Sequence, residues 1–151
     1  MNDMLMTTEN TKQFIVVNIA EEHYGIDIKY IDNIVRMQKI TRVPKAQPYF
    51  SGVINLRGEI VPVMSLRRKM RRDDDQITNS SRIIILKYEE YGIFGVIVDA
   101  VKEVVTLSDT EIDRGAVDSK DKNTFINGVG KNGGELISLL DISSIIKDES
   151  F

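Results

Sequence analysis

"GVINLRGEIVPVMSL", residues 52–66, is matched by "GVGKNGGELISLLDI", residues 128–142, at a constant offset of 76 (128 minus 52) and without a gap. Gly52, Val53, Gly58 and Glu59 are repeated as Gly128, Val129, Gly134 and Glu135. The apolar positions Ile60, Val61, Val63, Met64 and Leu66 recur as Leu136, Ile137, Leu139, Leu140 and Ile142, which predicts the same burial in both copies. A second pair lies upstream, where "YGIDIKYIDNIV" (24–35) aligns with "FGVIVDAVKEVV" (94–105) at an offset of 70 (94 minus 24). Both blocks recur in the same order, and self-similarity at half the chain length marks two related units packed about a pseudo-twofold axis.

Within each half the apolar runs are short and rich in Ile, Val and Tyr: "QFIVVNI", "YGIDI", "EIVPVM", "RIIILKY", "GIFGVIV" and "ELISLL", separated by Gly, Asn, Asp or Glu-Glu turns. These are strand signals. "EEHYG" (21–25) and "EEYG" (89–92) occupy corresponding hairpins, and "KNGG" (131–134) carries an Asn-Gly pair suited to a tight I′ turn. Helix is confined to a short turn at "AQPYFSG" and a C-terminal piece, "DISSIIKDE", with Asp141 or Ser143 as its cap. Closing short antiparallel sheets removes exposed edges, so two small β-barrels side by side fit the pattern best. The first runs over 13–68 and the second over 82–147, joined by a charged loop at 69–81. "RRKMRRDDDQITNSSR" (67–82), which spans that loop, has almost no apolar content and reads as a solvated connection. Whether the first strand pairs in its own half or crosses to the other is open.

Composition excludes several classes. The chain has 151 residues, 42% hydrophobic and 28% charged, enough for a core and a normal solvated surface. The longest aliphatic run, "IIIL" at 83–86, is far short of the roughly 20 residues of a membrane-spanning helix. "MNDMLMTTENTK" does not read as a signal peptide, and there is no cysteine, so a cytoplasmic setting without disulfides or thiolate chemistry is expected. A net charge of −3 offers no global attraction to nucleic acid or anionic lipid.

Local motifs fare little better as chemistry. Gly128, Gly130 and Gly133 have dinucleotide-fingerprint spacing, but that motif needs a helix behind it, and "ELISLL" alternates as a strand. "DTEID" (109–113) begins like a calcium loop, yet Arg114 and Lys120 stand where Gly and a bidentate Glu are required. "RRKMRR" (67–72) is a possible phosphate strip for a nucleic-acid-binding small barrel, weakened by the adjacent Asp73, Asp74 and Asp75. His23, the sole histidine, sits in a predicted hairpin turn with no cysteine anywhere to share a metal and no local support for a Ser, His and acid arrangement. No catalytic constellation, metal site or cofactor site is expected.

The copies differ where function was added. "NLRG" (55–58) replaces the polar turn "KNGG", introducing Leu56 and Arg57. Two readings stand: Leu56 packs inward with Arg57 pinning the adjoining loop, or the turn contacts a partner directly. Pro62, opposite Ser138 of the copy, cannot donate to a ladder, so its strand is expected at an edge or a bulge. Ile26, Ile28, Ile31 and Ile34 correspond to Val96, Val98, Val101 and Val104, more apolar positions than one small barrel interior needs. The surplus lines either a shallow helix-binding groove or a structural core between the barrels.

"FSGVINLRGEIVPVMSLR" followed by "FINGVGKNGGELISLLDI" resembles the CheW-like domain family of bacterial chemotaxis coupling proteins, and the likeness spans about residues 14–147. It implies two five-stranded SH3-like barrels, no catalysis, no cofactor, and a bridging role. The regulatory domain of the histidine kinase CheA would be bound through barrel ends, and the cytoplasmic tips of methyl-accepting chemoreceptors through the groove between barrels. With only short tails around one such domain, a stand-alone adaptor is favoured over CheA or CheV. By motif, Gly52, Asn55, Leu56, Arg57 and Gly58 form the signature turn and coupling residues, and Ile28, Ile31, Asn33, Val98 and Val101 the receptor-binding groove. The protein would then be cytoplasmic, held at receptor arrays without inserting in the membrane. Asn33 stands where the family usually has Glu and Ser65 where it has Asp, so Arg57 would meet Asn33 through a neutral hydrogen bond.

Overall fold

In a computed structural model the protein is described over residues 10–115 and 125–147. It is mainly β. The strands are β1 Thr11–Ile19, β2 Glu22–Asp27, β3 Ile31–Arg36, β4 Phe50–Leu56, β5 Glu59–Ser65, β6 Arg82–Tyr88, β7 Gly92–Val98, β8 Ala100–Ser108, β9 Ile112–Asp113, β10 Ile126–Asn132 and β11 Glu135–Leu140. Two short helices, α1 Leu66–Lys69 and α2 Ile142–Lys147, follow β5 and β11. Asp141 caps α2, its carboxylate accepting from the Ser144 hydroxyl at 2.8 Å. No helix forms at "AQPYFSG": turns at Pro44–Lys45 and Pro48–Tyr49 lead into β4.

One sheet has the order β8-β1-β2-β11-β10-β9, the other β3-β6-β7-β5-β4. Apart from β9, which has no counterpart strand, substituting each strand by its repeat turns one order into the other. The registers agree too. Phe50↔Met64 through Leu56↔Glu59 is reproduced as Ile126↔Leu140 through Asn132↔Glu135, with a bulge at the same point of both. The parallel pair Val63↔Gly95 recurs as Leu139↔Gly25. A further bulge leaves Asp32 unpaired in β3 and Lys102 unpaired in β8.

The first strand, whose partner the sequence left open, lies between β2 and β8. The β3–β7 sheet is contiguous in sequence, and the β1–β2 hairpin joins strands from the far end of the chain. The chain therefore crosses between sheets twice, through a 3-10 turn at Ile28–Tyr30 and at Asp99. Each sheet bends so that the segment leaving its end strand returns to the opposite end. Thr41 bridges Val53 of β4, and β9 pairs with β10, but no continuous ladder closes either barrel among the described residues.

Three apolar clusters result. Phe14, Val16, Val105, Leu107, Ile137 and Leu139 fill one sheet, and Ile54, Val61, Val63, Ile83, Ile85 and Ile97 fill the other. Between them lies a larger core containing Ile15, Val17 and Ile19 of β1 and Ile84 and Leu86 of β6. Successive residues of β1 and β6 thus face different cores, which explains the unbroken runs "FIVV" and "IIIL": a strand buried on both faces has no polar alternation. Glycine is required where the sheet interior is tightest. A Cβ on Gly95 would lie 2.7 Å from Ile83 Cγ2, and one on its repeat Gly25 2.9 Å from Leu139 Cδ2.

The stretch 67–82 is not simply solvated. Arg67 is only 9% exposed and Lys69 2%. Arg67 Nη2 donates to Asp99 Oδ2 at 2.7 Å and its Nε to Oδ1 at 3.3 Å, while Oδ2 also accepts from the Ala20 backbone N–H at 2.9 Å. That clasp joins α1, the β1–β2 turn and the second sheet crossing. Lys69 Nζ sits 3.8 Å from the Tyr49 ring centroid, so its burial is offset by a cation–π contact. Asp75 is an exception: its carboxylate oxygens are buried with no well-formed hydrogen bond, and desolvation pushes its carboxyl up against the opposing pull of the nearby Ser65 hydroxyl and the Arg68 charge.

Two outcomes test this packing. Ile84→Ala, in the shared core, should cost about 2–5 kcal/mol in denaturant unfolding, whereas Ile60→Ala on the surface should stay within about 0.5 kcal/mol. Tyr24 is 5% exposed and hydrogen-bonds Glu22 Oε1 at 3.0 Å. Burial, then that bond and the carboxylate charge, push its phenol from 10.0 up to about 12, against the opposing charge of Arg72. The unfolded chain loses this proton first, so stability should be intact below pH 10 and fall as pH rises toward about 12. Tyr24→Phe should flatten that fall; an unchanged alkaline slope would remove Tyr24 as its source.

Candidate functional site: the signature turn and the seam

Leu56 and Glu59 are the last pair of the β4–β5 hairpin, leaving Arg57 and Gly58 as its two central residues. Their φ values, +54° and +87°, make this a type I′ turn, as are Gly133 (+58°) and Gly134 (+87°) in the copy. The central pair of the copy is therefore Gly-Gly, with Asn132 still in the strand. Asn55 Oδ1 accepts from the Gly58 N–H at 3.0 Å and fixes the turn. Arg57 occupies a left-handed position that glycine fills at lower cost.

The two readings of this turn divide between its residues. Leu56 is half-buried and packs on the core of its own sheet. Arg57 is exposed and makes no hydrogen bond or ion pair with any described residue, so it pins no loop. The expected bond to Asn33 does not form either. Asn33 Oδ1 accepts from the Ile34 N–H at 2.8 Å, and β3 and β4 stand at opposite ends of their sheet.

Gly52 has φ +144°, and a Cβ there would lie 2.2 Å from the Thr41 carbonyl oxygen. The glycine admits the bridge in which Thr41 and Val53 exchange both backbone hydrogen bonds at 2.8 Å. That exchange also explains Pro62, whose strand is interior to the sheet, contrary to the edge expectation, and has no bulge at Pro62. Val53 spends its N–H and C=O on Thr41, so Val53↔Pro62 is a non-hydrogen-bonded pair. Pairing with β7 begins one residue later, at Val63↔Gly95, so no donor is missing at Pro62.

Along the seam the residues separate by depth. Val98 is 0% exposed in the shared core, where it supports a surface and cannot itself be touched. Ile28 and Ile31 are half-buried against that same core, and Asn33 is half-buried beside the β3 bulge. Val101 and Val104 of β8 are 37% and 55% exposed. The structural reading therefore holds for the deep positions, while a rim of apolar side chains stays open. Ile60 and Leu136, expected to be buried, are 64% and 63% exposed. Alternation places both on the outer face of equivalent hairpins, and the sequence signal for them was their position opposite polar Asn55 and Lys131.

The basic run is committed internally. Besides Arg67 and Lys69, Arg68 Nε meets Asp74 Oδ1 at 2.8 Å, Arg72 pairs with Glu22, and Arg71 is also engaged. Gly128 and Gly130 lie within β10, where a Cβ on Gly130 would be 2.5 Å from Leu107 Cδ1, and a strand follows Gly133, so there is no phosphate cradle. Asp109–Glu111 form a 3-10 turn; Lys120 lies outside the described residues. His23 is in β2 rather than the turn, which Ala20 and Glu21 occupy, and its Nδ1 is 3.3 Å from Glu135 Oε2. No group of three or more potential metal ligands occurs among the described residues.

Fold and surface define a class: a duplicated β-sheet module whose distinguishing features are an exposed turn and open apolar rims. Residues 13–150 match the CheW-like domain family, and the chain belongs to that family. It is 34% identical over 140 residues to the chemotaxis protein CheW of Bacillus subtilis (strain 168), covering 92% of this chain and 89% of that one. It is 32% identical to the CheW of Helicobacter pylori, covering 93% and 85%. Among solved structures, the scaffolding protein TtCheW from Thermoanaerobacter tengcongensis superposes with a TM-score of 0.82 at 30% identity, covering 93% of this chain and 95% of that one.

Because the copy already places Gly133 at the position of Arg57, Arg57→Gly should leave the fold intact, unchanged or up to about 1 kcal/mol more stable. A drop in the thermal midpoint would show that the guanidinium has a structural partner.

Proposed function

We propose that this chain is a non-catalytic adaptor that couples transmembrane chemoreceptors to the histidine kinase CheA in signalling arrays at the inner membrane face. Family membership and the likeness to a scaffolding protein support a role in chemotactic signal transduction. The observation that carries the finer reading is Arg57, a side chain held in a left-handed conformation with no hydrogen bond or ion pair to any described residue. A strained exposed cation is retained where something outside the fold uses it.

In this reading the CheA regulatory domain meets the barrel ends, where the signature turn projects. The receptor tip, a helical hairpin, lies along the seam over Ile28, Ile31 and Asn33, with Val101 on the facing rim and Val98 as support beneath. Helix-in-groove docking uses such apolar anchors. No helix among the described residues is long and apolar enough to cross a membrane, which fits recruitment through the receptors. The nucleic-acid alternative loses its support, since the 67–72 cations are paired within the fold.

Co-sedimentation of purified protein with receptor-bearing membranes and CheA should yield a ternary complex with receptor-dependent kinase activity. Arg57→Gly should lower that activity several-fold while the protein stays folded. Full coupling by the folded variant would dismiss the turn; binding to neither partner would dismiss the adaptor reading.

A further inference from the structure

The loop between β3 and β4 carries an unassigned cationic hollow. A cavity of about 370 Å³ opens there, lined by Arg42, Lys45 and Arg68 with Val43, Phe50 and Ser51 between them, and no acidic residue lines it. Arg42 and Lys45 are exposed and make no hydrogen bond or ion pair with any described residue. Arg68 is fixed from behind. Its Nη1 donates to the Pro48 carbonyl at 2.9 Å and its Nε to Asp74 at 2.8 Å, which leaves Nη2 uncommitted.

Two further observations mark this as more than a solvated loop. Ser51 Oγ is buried without a hydrogen-bond partner, a polar atom whose desolvation nothing in the described chain offsets. Lys45 is one of few non-glycine residues with positive φ, +63°. Arg42 and Lys45, two cations without an ion-pair partner among the described residues, converge here beside the Asp74-paired Arg68 on a molecule whose net charge is −3.

We propose that this hollow is a docking site for an acidic segment of a partner protein, its carboxylates seated against Arg42, Lys45 and Arg68 and one of them accepting from the Ser51 hydroxyl. Carboxylates suit the planar guanidinium forks of Arg42 and Arg68. Val43 and Phe50 give aliphatic side chains of the same segment something to cover. A long polyanion is disfavoured by the net negative charge of the whole molecule. The identity of the occupant as a protein rests on the adaptor reading; the anion chemistry does not.

The test uses the whole chain and a fluorescein-labelled hexapeptide of four glutamates and two leucines, followed by anisotropy and backbone amide shifts. The peptide should shift the amides of residue 68 and of the non-proline residues in 42–51, and the glutamine counterpart should bind at least tenfold more weakly. Arg42→Ala combined with Lys45→Ala should also weaken binding at least tenfold, and both residues are exposed, so folding is not at stake. Ser51→Ala should weaken binding several-fold without lowering the thermal midpoint. Equal binding of the glutamine peptide, or no effect of the double variant, would overturn the site. Inorganic phosphate competing as well as the peptide would replace the acidic segment with a free oxyanion, and tighter binding of a short oligonucleotide would replace it with nucleic acid. Loss of peptide binding with the ternary complex preserved would remove this site alone, whereas peptide binding without a ternary complex would remove only the adaptor reading.

Discussion

Two strands with no solvent face hold this molecule together. β1 and β6 each turn alternate residues into their own sheet and into a common core, so neither sheet can be repacked without disturbing the other. A strand that is apolar on both faces is stable only when covered on both. That condition makes the two sheets mutually dependent and leaves the seam between them as a structural consequence of the core rather than an addition to it.

The exchange of hairpins follows from the same constraint. The chain passes from one sheet to the other at Ile28–Tyr30 and again at Asp99, and the second passage is held by Arg67. Charges taken out of water are tolerated when each finds full hydrogen-bonding geometry. Asp99 accepts two guanidinium donors and a backbone N–H, which is that geometry. Arg67 of α1 thereby serves as an internal fastener, its charge spent on Asp99 rather than offered at the surface.

Duplication separates structural positions from surface ones. Where both copies agree in burial, as at Gly25 and Gly95 or Ile15 and Ile84, the side chain fills a core. Where they agree in exposure, as at Ile60 and Leu136, an apolar side chain on one outer face has a counterpart on the other sheet. Where they diverge, the difference is local: Arg57 against Gly133, or Ile31 and Ile34 half-covered against Val101 and Val104 open.

The repeat, the strand content and the tight I′ hairpin at 131–134 were legible from residues 52–66 and 128–142 alone, because turn chemistry and two-residue alternation act over a few bonds, though the hairpin's central pair proved to be Gly133-Gly134 rather than Asn-Gly. The depth of Val98, the interior place of Pro62 and the pairing of Arg67 with Asp99 were not. Each depends on which strand lies alongside, and that was set by a hairpin crossing to the opposite sheet. Sequence periodicity states that a strand has two faces. Only the three-dimensional arrangement decides what, if anything, covers each of them.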